Sequence, residues 1–173
     1  MKAPKNLIDA IVQGATVDLF RTYGVAVAPI PRSPVPPTRF PEGYCGMISF
    51  NGQGFTGTMT LFVPAPILSL TKAGAQLPLH ERDWIRELAN QLMGRIKTRL
   101  LQLQVTLRVG LPSTMDRRMV ERRHTSTSGS LMIFEFRTIR DEVTVTLEGT
   151  FDESGFKYTG TANPGNEGDV IIF

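Results

Sequence analysis

The chain has 173 residues and a mass of 19.1 kDa, a size that fits one domain around a single continuous core. Apolar residues make up 41% and charged residues 20%, which excludes a disordered, collagen-like or coiled-coil chain. The net charge of +3 is too small to imply nucleic-acid binding by itself, but it conceals a segregation: residues 1–80 carry 6 basic and 3 acidic groups, 81–140 carry 12 and 6, and 141–173 carry 1 and 7.

Helical spacing of Leu7, Ile8, Ile11, Val12, Ala15 and Leu19 predicts an amphipathic helix over residues 5–22, with Gly24 as its stop. Asp9, Gln13 and Asp18 interrupt this segment, so it lacks the continuous apolar core of a signal peptide. No stretch approaches the roughly 18 apolar residues of a membrane helix, and the expected location is cytoplasmic. A short apolar run, Val25 to Ile30, leads into a proline-rich loop at 31–43, read as a stiff surface connection whose PxxP content is also that of a docking peptide.

Residues 44–51 and 55–63 predict a hairpin around Asn51-Gly52 and Gly54. Phe55, Met59, Leu61 and Val63 alternate with Thr56, Thr58 and Thr60, the pattern of a sheet with one dry and one wet face. Pro64 and Pro66 suit the first turn of a short helix ended by Gly74, and a long helix is expected from about His80 to Leu103. Val105, Leu107, Val109 and Leu111 predict a strand ending at Pro112. Residues 113–130 read as a basic, polar loop. Two strands follow, marked by Met132, Phe134 and Phe136 and by Val143, Val145 and Leu147, with Thr144, Thr146 and Glu148 on the wet side. An acidic, glycine-containing tail covers 160–173. The sum is a single α+β domain, a mostly antiparallel sheet with two long helices and one short helix on one face.

Cys45 is the sole cysteine, which excludes an internal disulfide and fits a reducing compartment. It sits in a hairpin strand away from any histidine in sequence and reads as a buried structural thiol. With only His80 and His124 besides, a Cys/His zinc site is excluded on count.

The long helix carries the functional information. Ile85, Leu88, Ala89, Leu92, Ile96 and Leu100, extended by Leu103, form one apolar stripe, and Asp83, Glu87, Asn90, Gly94 and Thr98 form a polar ridge opposite. Asparagine and glycine are poor choices for a solvated face in mid-helix, glycine costing about 1 kcal/mol against alanine. A glycine one turn beyond an asparagine also clears room for another backbone, and Glu87 and Asn90, three residues apart, can converge on one external target. A solvated face with two poor helix formers is the alternative on spacing alone.

The segment Asp83-Trp-Ile-Arg-Glu87-Leu-Ala-Asn90-Gln-Leu-Met-Gly94-Arg-Ile-Lys97 resembles the CheX/CheC family of chemotaxis phosphatases: an acidic or serine residue, three residues, Glu, two residues, Asn, then a glycine and a basic residue. Pro112, 22 positions beyond Asn90, matches the family's strand-ending proline, and the N-terminal helix and glycine-rich hairpin are similar in order and length. The likeness covers most of the chain, but its specificity rests on about 20 residues. The first helix carries Asp9, Gln13 and Thr16 where two-site members carry a second Glu/Asn pair, so a single active helix is implied, as in the CheX branch, whose members commonly form homodimers.

The resemblance implies hydrolysis of the aspartyl phosphate on a CheY-like response-regulator receiver, with Asn90 placing the attacking water and Glu87 pairing with the receiver's lysine. It implies no cofactor of the chain's own, the receiver holding Mg2+. Asp83 either touches the partner or favours the positive end of its helix; Gly94 either permits close approach or is neutral; Thr98 completes the partner-binding set. Pro112 reads as a strand end. Two other classes compete: a non-catalytic receiver-binding or dimerisation module, and a nucleic-acid or acidic-partner binder using Arg117, Arg118, Arg122, Arg123 and His124. Asp116 and Glu121 interrupt that basic patch, and no aromatic residues interleave it.

Overall fold

The computed structural model describes residues 4–32, 40, 42–76, 79–126 and 129–151. In chain order its elements are α1 (Pro4–Thr22), β1 (Ala28–Pro29), β2 (Tyr44–Gly52), β3 (Phe55–Val63), α2 (Ala65–Ala75), α3 (Glu81–Leu101), β4 (Leu107–Val109), β5 (Ser113–Thr114), α4 (Arg117–Ser126), β6 (Ser130–Arg137) and β7 (Glu142–Phe151). The sheet runs β1-β6-β7-β3-β2-β4 with every pairing antiparallel. The outer edge of β2 is shared: β4 pairs with residues 50–52 and β5 with residues 46–47. Most of the proline-rich loop and all of the 160–173 tail lie outside the described residues.

The alternating apolar residues read from the sequence make one face of this sheet. Ile48, Phe50, Phe55, Met59, Leu61, Val63, Met132, Phe134, Phe136, Val143, Val145 and Leu147 are all buried there in one cluster with the inner sides of α1, α2 and α3. α3 lies directly on β2. A Cβ added to Gly46 would stand 2.6 Å from the carbonyl oxygen of Ile85 and 2.9 Å from the Cβ of Ala89, so two small residues let strand and helix approach closely. α1 runs antiparallel to α3, tied by an Arg99–Asp18 ion pair and by Arg95 Nη2 donating to Thr22 Oγ1 at 3.0 Å. With the sheet beneath and α1 alongside, α3 keeps only its outer face for solvent.

Four expectations are corrected by the structure. The second face of the sheet is not wet: Thr58, Thr60, Thr144, Thr146 and Glu148 are buried, and Phe40, Cys45, Met47, Phe62 and Val120 form a second small core there. Cover comes from Phe40 and from the 113–130 segment, which contributes Met115 and Val120 and contains β5 and α4 rather than a loop throughout. α4 escapes periodicity because Val120 is its one buried apolar residue; its hold comes instead from Asp116 Oδ1 accepting the Arg118 N–H at 2.8 Å and from the Arg117–Glu121 pair at 3.7 Å. The strand after α3 is only three residues long, and Leu111 is 91% exposed instead of continuing the buried side. Gly74 does not stop α2, which runs on to Ala75 and closes on Gln76 in the left-handed region. A Cβ at Gly74 would lie 2.4 Å from the Tyr23 carbonyl, so this glycine serves the crossing of α2 over the end of α1.

Candidate functional site

The site is the outer face of α3. Glu81 and Asp83 stand in its first turn, where negative charge favours the positive helix end. Asp83 is exposed and pairs with Arg86 at 3.3 Å. The Glu81 carboxyl is held below the usual carboxylate range by its own backbone N–H and by Lys72, whose Nζ is 3.2 Å away. Inward, Ile85, Leu88, Ala89, Leu92, Ile96 and Leu100 are buried as the wheel predicts, and Leu103 is partly buried. Trp84 and Met93 are buried too, a second flank the sequence stripe did not include.

Glu87, Asn90 and Gly94 come together on the face that remains. One helical turn separates each from the next, so Glu87 and Asn90 are about 4.5 Å apart along the axis. Asn90 is exposed, and its amide has no hydrogen-bond partner among the described residues. Among the described residues Gly94 has no atom within 4 Å of where a Cβ would sit, so none of them requires a glycine there. Thr98 lies one further turn along, and its hydroxyl donates to the Gly94 carbonyl at 3.0 Å.

Glu87 differs from Asn90 in being held. Gln91 Nε2 donates to Glu87 Oε1 at 2.8 Å, and Gln91 Oε1 accepts from the Tyr23 hydroxyl at 2.6 Å. The Tyr23 ring stands edge-on to Trp84 with centroids 5.1 Å apart, and Trp84 Nε1 donates to Thr71 Oγ1 at 2.9 Å. The carboxylate is therefore oriented by a relay anchored in the buried contact between α1, α2 and α3. Sequence reasoning missed Tyr23 and Gln91; the i,i+4 spacing of Glu87 and Gln91 was the available signal, while Tyr23 is 68 residues from Gln91. Tyr23→Phe keeps the ring contact and removes the hydroxyl. It is expected to cost about 1 kcal/mol in chemical denaturation and to shift the Gln91 side-chain amide in NMR spectra; an unmoved amide would contradict the relay.

The basic cluster is partly committed inside the chain. Arg117 donates to the Phe40 carbonyl at 3.2 Å and lies 3.7 Å from Glu121. Arg118 is exposed, and the side chains of Arg123 and His124 lie outside the described residues. Cys45 is buried, and that burial pushes its thiol up to about 12, so it is neutral at physiological pH. Among the described residues no three His, Cys, Asp or Glu side chains converge as metal ligands, and no helix is long and apolar enough to cross a membrane.

The fold, an antiparallel sheet with helices packed on it, is CheX/CheC-like. The chain is similar over 82% of its length to the chemotaxis protein CheX of Vibrio vulnificus, covering 97% of that chain with a TM-score of 0.66 at 12% identity. It matches CheX of Desulfovibrio desulfuricans with a TM-score of 0.64 at 16% identity, over 81% of this chain and 97% of that one. The Borrelia burgdorferi CheX–CheY–BeF3–Mg2+ complex is also similar, with a TM-score of 0.57 at 9% identity, over 82% of this chain and 94% of that one. No family model matches the sequence, and no curated protein matches it.

Proposed function

We propose that this chain is a CheX-like phosphatase that removes the aspartyl phosphate from the receiver domain of a CheY-like response regulator. One observation carries the reading: an asparagine amide unpartnered among the described residues and a pre-oriented carboxylate share an exposed helix face beside a glycine that the packing of those residues does not need. The similar CheX–CheY complex supports the choice of partner.

In this reading α3 lies across the receiver's phosphorylated pocket. An acyl phosphate already hydrolyses spontaneously, so catalysis consists mainly of holding a water in line with the leaving oxygen. The Asn90 amide both donates to and accepts from water without being a strong base, which suits that task. Glu87 sets the register by pairing with the lysine beside the phosphate. The receiver supplies the Mg2+ site, and the chain needs no cofactor of its own. Asp83 and Thr98 border the contact, and Arg86 and Lys97 place positive charge on α3 beside it, favouring encounter with an acidic pocket. The reading includes a homodimer, as the resemblance implies, in the cytoplasmic location expected from the sequence.

Gly94 gives this account a two-sided test. Because the space around it is open, Gly94→Ala is expected to stabilise the isolated chain by about 1 kcal/mol in thermal unfolding. The added methyl meets the docked receiver instead, so affinity for a phosphorylated receiver falls. Unchanged affinity would show that Gly94 has no part in docking. The function itself is tested by following decay of phosphorylated receivers from the same organism with and without native protein. Faster decay of at least one receiver is expected; unchanged decay across the panel would refute phosphatase activity.

A further inference from the structure

A cavity of about 450 Å³ opens at the end of the sheet, between the first turns of α3 and α4, beside the start of β2. Among the described residues its charged lining is Arg82 from α3, Arg117 and Arg118 from α4, and the acids Glu42 and Asp116. These groups do not cancel. Asp116 Oδ1 accepts the backbone N–H of Arg118 at 2.8 Å, at the start of α4. Arg117 is fixed as a wall by the Phe40 carbonyl and by Glu121, with Glu42 3.8 Å away and 91% exposed. Arg82 and the Arg118 guanidinium have no hydrogen-bond or ion-pair partner among the described residues, and both are exposed. Two arginines from helices on opposite faces of the sheet thus line one opening, with guanidinium groups unpaired among the described residues.

We propose that this cavity binds a small organic anion bearing phosphate or carboxylate groups. The guanidinium fork matches the paired oxygens of either group, whereas an ammonium acts only as a point charge. The size of the cavity argues against a bare inorganic ion as its natural occupant. At roughly 30 Å³ of liquid volume per water it equals about fifteen waters, which leaves room for an organic body beyond the anionic group. Thr114 and Tyr44 also line the cavity and can meet the polar part of that body. Cys45 lies at its floor as a neutral thiol and adds no charge. The site is separate from the Glu87–Asn90 face and does not depend on the phosphatase reading.

The test is an NMR titration of the full chain with two probes, pyrophosphate for phosphate chemistry and citrate for carboxylate chemistry. Saturable shifts are expected at the Tyr44, Thr114, Met115 and Arg118 amides with at least one probe. Arg82→Ala combined with Arg118→Ala should weaken that binding at least about ten-fold, because hydrogen bonds to a charged group are lost. Arg137→Ala combined with Arg140→Ala, which removes the same charge elsewhere, should leave it unchanged. Asn90→Ala should bind the probe as native protein does, whatever its effect on a receiver. Shifts that fail to saturate, shifts spread over every basic surface, or equal weakening in both double variants would overturn the proposal.

Discussion

Asn90→Ala is expected to leave the chain folded and able to bind a phosphorylated receiver while slowing receiver dephosphorylation about 10²-fold, the order expected when a reacting group loses its positioning partner. Folding should not suffer. The Asn90 side chain is exposed and without a partner among the described residues, and alanine is the better helix former, so stability should rise by a few tenths of a kcal/mol. Glu87→Ala should behave differently. It removes the charge assigned to the register contact and frees Gln91, so the complex weakens and the rate falls chiefly through lost binding. Titrating each variant with receiver and measuring decay at saturating concentration separates the two effects. Equal loss of binding in both variants would contradict the division of roles.

Trp84→Ala should produce the largest loss of stability. Trp84 is fully buried where α1, α2 and α3 meet; its ring carries Tyr23, and its Nε1–H is satisfied by Thr71, whose hydroxyl in turn donates to the Leu68 carbonyl at 2.8 Å. Truncation empties the space of an indole and removes the Thr71 contact, a change of about 3–5 kcal/mol. Against a typical domain stability of about 5–15 kcal/mol this is a large fraction, visible as a marked fall in the urea midpoint. Trp84→Phe, which keeps most of the ring volume, should recover part of the loss. If Trp84→Ala cost less than about 1 kcal/mol, the three-helix contact would not be the anchor of α3.

What the sequence revealed, and what it hid, follows from the range of the interactions. The helix over α1, the β2–β3 hairpin and the inward residues of β6 and β7 depend on local periodicity, and each reads directly from spacing. The ridge is legible for the same reason: Asn90 and Gly94 stand out because a helix facing only water has no use for them. Glu87's support was hidden because it runs through Gln91 to Tyr23, just beyond the end of α1 and distant in sequence. The burial of Thr144 and Thr146 was hidden as well. Their alternation with Val143, Val145 and Leu147 says only that they face the other way, not that the distant α4 segment helps cover that face. α4 itself has no apolar stripe to display; one valine and a few charged contacts hold it. Gly74 shows the opposite error, a residue with a strong local meaning as a helix stop that tertiary contact has put to another use.

Phosphate release under multiple turnover tests the central claim most directly, because it separates a catalyst from a protein that only binds receivers. Native chain is added at a small fraction of the concentration of phosphorylated receiver, and inorganic phosphate is followed beyond one equivalent per chain. The account predicts many equivalents released faster than spontaneous decay, with Asn90→Ala close to the spontaneous rate. Release that stays at the spontaneous rate with native protein, although the receiver is shown to bind, would contradict it.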